Sequence, residues 1–276
     1  MNTFLADRHH NEGKRLYFSS EDRLEGETTD NMTVYLDAPL LHSRYMSILQ
    51  VQVPNTAYMF KPSASVFYIQ TTGAGLIAIA LPTDRQFEPA TTVLSALDKM
   101  KNYLNTMAGG FNANNLSLDY DDDTGLLNVA STSAVNGDCN VVLQSTVLAN
   151  PATYPTPAQL RLGYGLTSPT FNNTTPAPTD ADTVMDIRLT SNYNVACSLT
   201  GSSSITPKGR ADIMIQVPNV VAYGGVNVFQ PQSADTDVDT GSNEEITVIK
   251  LRILDDDMEQ VSLNGAITTW AFSFHN

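Results

Sequence analysis

The sequence predicts an all-β fold, a β-sandwich interrupted by one inserted, loop-rich segment carrying a helix and a hairpin. Three observations carry this. Short alternating or apolar runs recur along the chain, separated by clusters of Gly, Pro, Asn, Asp and Ser, which is the pattern of strands and turns. The runs form two groups, residues 31–82 and 184–275, and neither group has enough strands for a two-layer core of its own. Between them, a single stretch places apolar residues at helical spacing.

Residues 1–30 read as an N-terminal arm. After it "TVYLD", 33–37, and "YMSILQVQV", 45–53, read as strands. Strict alternation in the second puts Tyr45, Ser47, Leu49, Val51 and Val53 on one side and Met46, Ile48, Gln50 and Gln52 on the other. Ser65–Thr71 and Gly75–Leu81, joined by "TTGA", read as a hairpin. In "EPATTVLSALDKMKNYLNTM", Glu88 and Pro89 open a helix whose stripe is Val93, Leu94, Leu97, Met100, Tyr103, Leu104 and Met107. Gly109-Gly110 stops it by supplying a left-handed cap.

"NNLSLDYDDDTGLLNVAS" contains an acidic run that superficially resembles a calcium loop. Counting from Asp119 puts Thr124 where the loop needs Gly and Ala130 where it needs Glu. The run reads instead as a hairpin turning on Asp-Asp-Thr-Gly, with Gly125 at positive φ. From Ala149 to Asp182, Pro, Thr, Asn and Ala dominate and imply exposed loop around the island "LRLGYGL". Later strands are expected at Asp186–Thr190, Val195–Leu199, Ala211–Val217, Glu245–Leu254 and Thr268–Phe274, with an acidic loop from Phe229 to Glu245. The expected organisation is an arm over 1–30, a sandwich from 31–84 and 184–276, and an inserted module over 85–183.

"VQVPNT", 51–56, returns as "IQVPNV", 215–220. Proline lacks the N–H a central ladder needs, so Pro54 and Pro218 mark places where two core strands leave the sheet at a rim of the sandwich.

Composition excludes several functions. Fifteen basic and twenty-nine acidic residues leave a net charge of -14, which repels nucleic acid and anionic membranes. Arg8, Lys14 and Arg15 with His9 and His10 form a small basic exception, broken by Asp7 and Glu12. Charged residues make up only 16% of the chain, below the usual quarter, so its surface is largely uncharged and polar, as suits β-proteins with long loops and also faces covered by neighbours in an assembly. Cys139 and Cys197 are too few and too far apart for a disulfide framework or a zinc site; they read as buried thiols, with their pairing left open. No apolar run is long enough to span a bilayer, and the start has no signal-peptide core. The expectation is a soluble chain made in the cytosol, whose Asn-x-Ser/Thr sites stay unglycosylated.

No phosphate cradle, Walker lysine or Gly-x-Ser-x-Gly elbow is present, and the four histidines, His9, His10, His42 and His275, are a poor supply for acid–base or metal work. Asp255, Asp256, Asp257 and Glu259 read as a tight turn. The chain is therefore read as no enzyme, with no catalytic, cofactor-binding or metal-binding residue and no cofactor.

Several patterns, in order, carry a resemblance. A Ser-x-x-Arg turn, Ser20–Arg23, precedes the first long strand, and a later strand ends in a Val-Pro-Asn-Thr corner, Val53–Thr56. An acidic-Pro helix start, the "DYDDDTGLL" hairpin and a Leu-Gly-Tyr island, Leu162–Tyr164, follow; the tail has Leu263-Asn264-Gly265 before a final strand with Trp270. This series resembles the single jelly-roll penton and minor capsid proteins of virophages, Polinton-like viruses and nucleocytoplasmic large DNA viruses. The resemblance implies a jelly-roll capsid protein of an icosahedral double-stranded DNA virus. Its implied role is the penton, a homopentamer at the vertex, and its implied location is the virion. Implied partners are copies of itself, neighbouring major capsid proteins, and minor or cement proteins or fibres, with no nucleic acid bound and no membrane inserted. The alternatives are a minor capsid protein linking hexons, a glycan- or receptor-binding sandwich using Tyr154, Tyr164, Phe171 and Tyr223, and a sandwich hydrolase with a close acidic pair.

Overall fold

The structure, a computed structural model, describes residues 14–41, 43–85, 87, 93–121, 123–142, 162–164, 170–173, 179–183, 185, 190–200, 204–206, 209–231, 237–240 and 245–275. The chain opens with β1 (Lys14–Ser19), β2 (Asn31–Leu40) and β3 (Tyr45–Pro54). It continues through β4 (Val66–Thr71), β5 (Gly75–Ala80), α1 (Val93–Thr106), β6 (Leu116–Tyr120), β7 (Leu127–Ser131), β8 (Cys139–Val141), β9 (Thr170–Phe171) and β10 (Thr179–Asp180). It closes with β11 (Asn192–Cys197), β12 (Ser204–Thr206), β13 (Gly209–Ala211), β14 (Ile213–Pro218), β15 (Val226–Phe229), β16 (Asp237–Asp239), β17 (Ile246–Leu254) and β18 (Thr269–His275). Two compact units result, Met1–Ala57 with Thr190–Asn276, and Tyr58–Leu189.

Beside the two-stranded β12-β13 ladder, the first unit holds two large antiparallel sheets. One runs β1-β18-β3-β15, with β16 also on β3, and the other runs β14-β11-β17-β2. Its main strands in chain order are β1, β2, β3, β11, β14, β15, β17 and β18. The first sheet then takes the first, eighth, third and sixth of these, and the second takes the fifth, fourth, seventh and second. That nested order, with early strands paired to late ones, is a jelly roll. One face of each sheet carries the buried apolar side chains, Met32, Val34, Val195, Ile249, Leu251 and Ile253 from one, Phe18, Met46, Ile48, Val51, Trp270 and Phe272 from the other, as two inner faces of a sandwich require, and in β11 the opposite face, Asn194 and Ala196, is buried as well.

Strict alternation along β3 does not hold. Ala271 faces Gln50 while Phe272 faces Ile48, so Leu49 is an extra residue, a β-bulge that reverses the side-chain sense. Met46 and Ile48 before it, and Val51 and Val53 after it, are all buried, and Tyr45 and Ser47 lie on the other face.

Two stretches differ from the expected organisation. Lys14–Ser19, expected in the arm, is a full edge strand paired with β18 from Lys14↔Phe274 to Ser19↔Thr269; Phe18 is buried with its ring centroid 6.0 Å from that of Phe272. The β4–β5 hairpin, expected in the sandwich, is in the second unit because β4 pairs with β8 as well as β5. The acidic loop also holds a short strand, β16, on Tyr45–Ser47 of β3. Glu88, Pro89, Tyr154, Asp186–Leu189, Arg8, His9, His10 and His42 lie outside the described residues.

In the second unit, β5-β4-β8-β9 and β10-β7-β6 form two small sheets. Leu97, Met100 and Leu104 of α1 join Phe67, Phe111, Leu116, Leu127, Val141, Leu162 and Tyr164 in one apolar core. Asn105 pins the helix to β6: its side-chain oxygen accepts the Leu118 N–H at 2.8 Å and its amide donates to the Leu118 carbonyl at 2.7 Å. The acidic run is a turn, with the Asp121 carboxylate accepting the N–H groups of Asp123 and Thr124 and Gly125 at φ 72. Gly163 in the Leu-Gly-Tyr island has φ +89, and a Cβ there would meet the Thr183 carbonyl oxygen at 2.0 Å.

Candidate functional site

One end of the sandwich collects the short motifs singled out in the sequence. β1 ends there in Ser20–Arg23, where Ser20 exchanges backbone and side-chain hydrogen bonds with Thr268 and Arg23 donates to the Ser20 carbonyl at 2.7 Å. β3 and β14 end there in Pro54-Asn55 and Pro218-Asn219. The two corners touch: the Asn219 amide donates to Asn55 Oδ1 at 3.4 Å, and the Tyr193 hydroxyl donates to the same oxygen at 3.0 Å. Asn227 donates to Asn219 Oδ1 at 3.2 Å and accepts the Val220 N–H at 3.0 Å. Thr56 donates to the Leu263 carbonyl at 2.6 Å, and Asn264, at φ 53 in the Leu-Asn-Gly turn, donates back to the Thr56 carbonyl. The repeated Pro-Asn therefore has a physical use. Each proline ends a ladder, and each asparagine satisfies the backbone groups freed there, in a network that ties both sheets at one rim.

The rim holds the frame; the open sides of the two sheets offer the surface. β1 and β2 border one side, β14 with β15 and β16 the other. Each side leaves large apolar residues in solvent: Tyr17 is 70% and Tyr35 62% exposed on one, Val220 82% and Val228 55% on the other. Open strand edges with exposed apolar side chains are surfaces that proteins ordinarily blunt or cover. A depression of about 290 Å³ opens at the β1 side, lined by Tyr17, Ser19, Gln50, Thr269 and Trp270 among others.

The acidic turn, the C-terminal histidine and the two cysteines each have a defined place. The Asp255 carboxylate accepts the N–H groups of Asp257 and Glu259 and so builds the turn after β17. His275 stacks on Tyr45 with centroids 5.8 Å apart and lies 3.1 Å from Asp237. Cys139 and Cys197 are free and buried in separate units; burial pushes the Cys197 thiol up to about 11 and raises that of Cys139. Among the described residues no group of three or more His, Cys, Asp or Glu is placed to hold a metal, and no described helix is long and apolar enough to cross a membrane. Of the aromatic residues considered for glycan binding, Tyr164 and Phe171 are core residues of the second unit, and Tyr223 is half-buried. The sequence reading missed the β1 edge because Lys14 and Arg15 made its start look like a solvated tail, although Leu16 and Phe18 alternate with Tyr17.

No protein-family model matches the chain, and no curated protein matches it. Among solved structures it is similar to the mavirus penton protein, at 8% identity and TM-score 0.47, covering 95% of this chain and 99% of that one. It is also similar to a chain in the cryo-EM structure of the Sputnik virophage, at 12% identity and TM-score 0.40, covering 96% and 98%. At such values the likeness says nothing of function, and the jelly-roll assignment rests on the strand order of this chain itself.

Proposed function

We propose that the chain is a structural capsid protein of an icosahedral double-stranded DNA virus, with the penton, a homopentamer at the vertex, as its role. The observation that carries this is the jelly roll whose two open sides both leave large apolar residues in solvent. A fold alone does not assign a function. Here it is joined by a surface poor in charge, as interface cores are, and by the ordered motifs that resemble single jelly-roll capsid proteins. Two different open sides favour head-to-tail contacts, which close into rings. On this reading the chain works in the virion, beside copies of itself and neighbouring capsid proteins, and acts through shape rather than catalysis. The inserted unit supplies a second surface for neighbours, cement proteins or fibres.

The test is the native mass of the purified chain by light scattering or native mass spectrometry over a range of concentrations. A species of about five times the chain mass of 29.9 kDa is expected for a closed ring. A trimer or a mixed oligomer replaces the penton role with that of a minor capsid protein linking hexons.

A further inference from the structure

The register of the first sheet lines up features of its two open edges that neither edge explains alone. Crossing the sheet, Lys14 is level with Phe274, Met46 and Val238, and Arg15 is level with Ser273, Ser47 and Asp237. The Arg15 row thus begins with an exposed cation on β1 and ends at Asp237 on β16, and exposed Lys14 starts the next row, which ends at Val238 between Asp237 and Asp239, both exposed. Lys14 and Arg15 have no ion-pair partner among the described residues. Asp239 is held by Arg44 at 3.2 Å, and Asp237 by Ser47 and His275, so both carboxylates are fixed in place at the edge.

A second row shows a matching shape. Ser19 is level with Thr269, Gln52 and Val228. Ser19 and Thr269 line the depression beside β1, and Val228 projects into solvent at the other end of that row. The outward face between the edges is uncharged in these rows: Ser273, Thr269, Ser47 and Gln52. Direction agrees as well. β18 is antiparallel to both β1 and β3, and β15 and β16 are antiparallel to β3, so β1 runs opposite to β15 and β16. A copy placed beside this one in the same orientation therefore continues the sheet in the antiparallel sense.

We infer that the β1 edge of one copy docks against the β15–β16 edge of the next copy of this chain. Arg15, with Lys14 beside it at the start of β1, meets the Asp237 and Asp239 carboxylates, and Val228 enters the depression beside Tyr17. The contact deepens the capsid reading and rests on it. It is heterologous, because each edge meets its complement and not itself, so it propagates around a ring and does not stop at a dimer. The charges select the register, and the apolar knob is the part least sensitive to salt.

The experiment measures self-association of the full chain by light scattering at about 0.15 M salt, with circular dichroism and thermal unfolding to check each variant. Lys14→Glu with Arg15→Glu is expected to weaken association about tenfold, the size anticipated when exposed pairs turn from attraction to repulsion. Adding Asp237→Lys and Asp239→Lys to the same chain restores it. Mixing the two separately reversed proteins gives mixed oligomers although each alone is weakened. Val228→Asp, on an exposed site that leaves the fold alone, weakens association by a comparable factor. Wild-type rings that persist unchanged in the folded Lys14→Glu/Arg15→Glu and Val228→Asp variants overturn this contact and leave the capsid reading standing. A wild-type chain that stays monomeric at every concentration overturns the contact and removes the ring on which the penton role depends.

Discussion

The two units are built on opposite plans. In the sandwich, strands pair with partners at the far end of the sequence: Asn31 of β2 faces Arg252 of β17, and Tyr45 of β3 faces His275 of β18. In the inserted unit, β4 pairs with β5 and β6 with β7 across short turns, and α1 is pinned to the next strand by Asn105. Both units use buried asparagines at their joints, Asn194, Asn219 and Asn227 in the sandwich and Asn136 in the insertion, and the insertion gathers its apolar side chains in one cluster. Local pairing closes small loops, and distant pairing closes large ones at greater entropic cost. The insertion can therefore form from its own segment, while the sandwich requires both ends of the chain.

The largest effect expected from this contrast comes from cutting the chain after Leu189. The cut removes every partner of β2 and β3, so protection from amide hydrogen exchange should vanish across residues 14–54 and persist in β4, β6, β7 and α1. Loss of protection in both regions would show that the insertion depends on the sandwich. Gly163→Ala is the next largest. The added methyl has a carbonyl oxygen 2.0 Å away and a φ of +89 to contend with, for a cost of about 3 kcal/mol or more. The loss should appear in exchange from the insertion and leave the β17 and β18 amides unchanged. Asn219→Ala reverses the pattern: it strands Asn227 and the Thr190 carbonyl at the rim and costs about 1–3 kcal/mol, read as faster exchange in the sandwich alone.

The same contrast explains what could be read from the sequence. Elements set by local pattern were legible: the β4–β5 hairpin, the stripe of α1, the Asp-Asp-Thr-Gly turn and the long strands β3, β17 and β18. Their unit membership was less so, because β4 reads as a sandwich strand until its pairing with Cys139–Val141 is known. The bulge at Leu49 was invisible for a related reason, since "YMSILQVQV" alternates acceptably in either sense and only the register with β18 decides. Pro54 and Pro218 announced a rim, but the meeting of Asn55 and Asn219 lies between corners 164 residues apart. The candidate contact surface was the least legible part. Arg15 becomes level with Asp237 only after two intervening strands have fixed the rows.

The smallest effect tests how firmly β16 is tied to the sandwich. The hydrogen bond from Ser47, and then the interaction with His275, hold the Asp237 carboxyl below the usual carboxylate range. A group whose folded value is depressed contributes stability that is present above its unfolded value, about 3.9, and is lost as pH falls through the folded value. Exchange at β16 and at the facing residues Tyr45–Ser47 should therefore accelerate in that acid window, ahead of β15 on the same edge. Because Asp237 is 43% exposed, solvent screening keeps the contribution well below about 1 kcal/mol. Asp237→Asn should remove the acid step while leaving β15 protected. An acid step that survives this substitution would place the titrating group elsewhere on the edge, and β16 would then be held by its backbone pairing with β3 and not by its side chains.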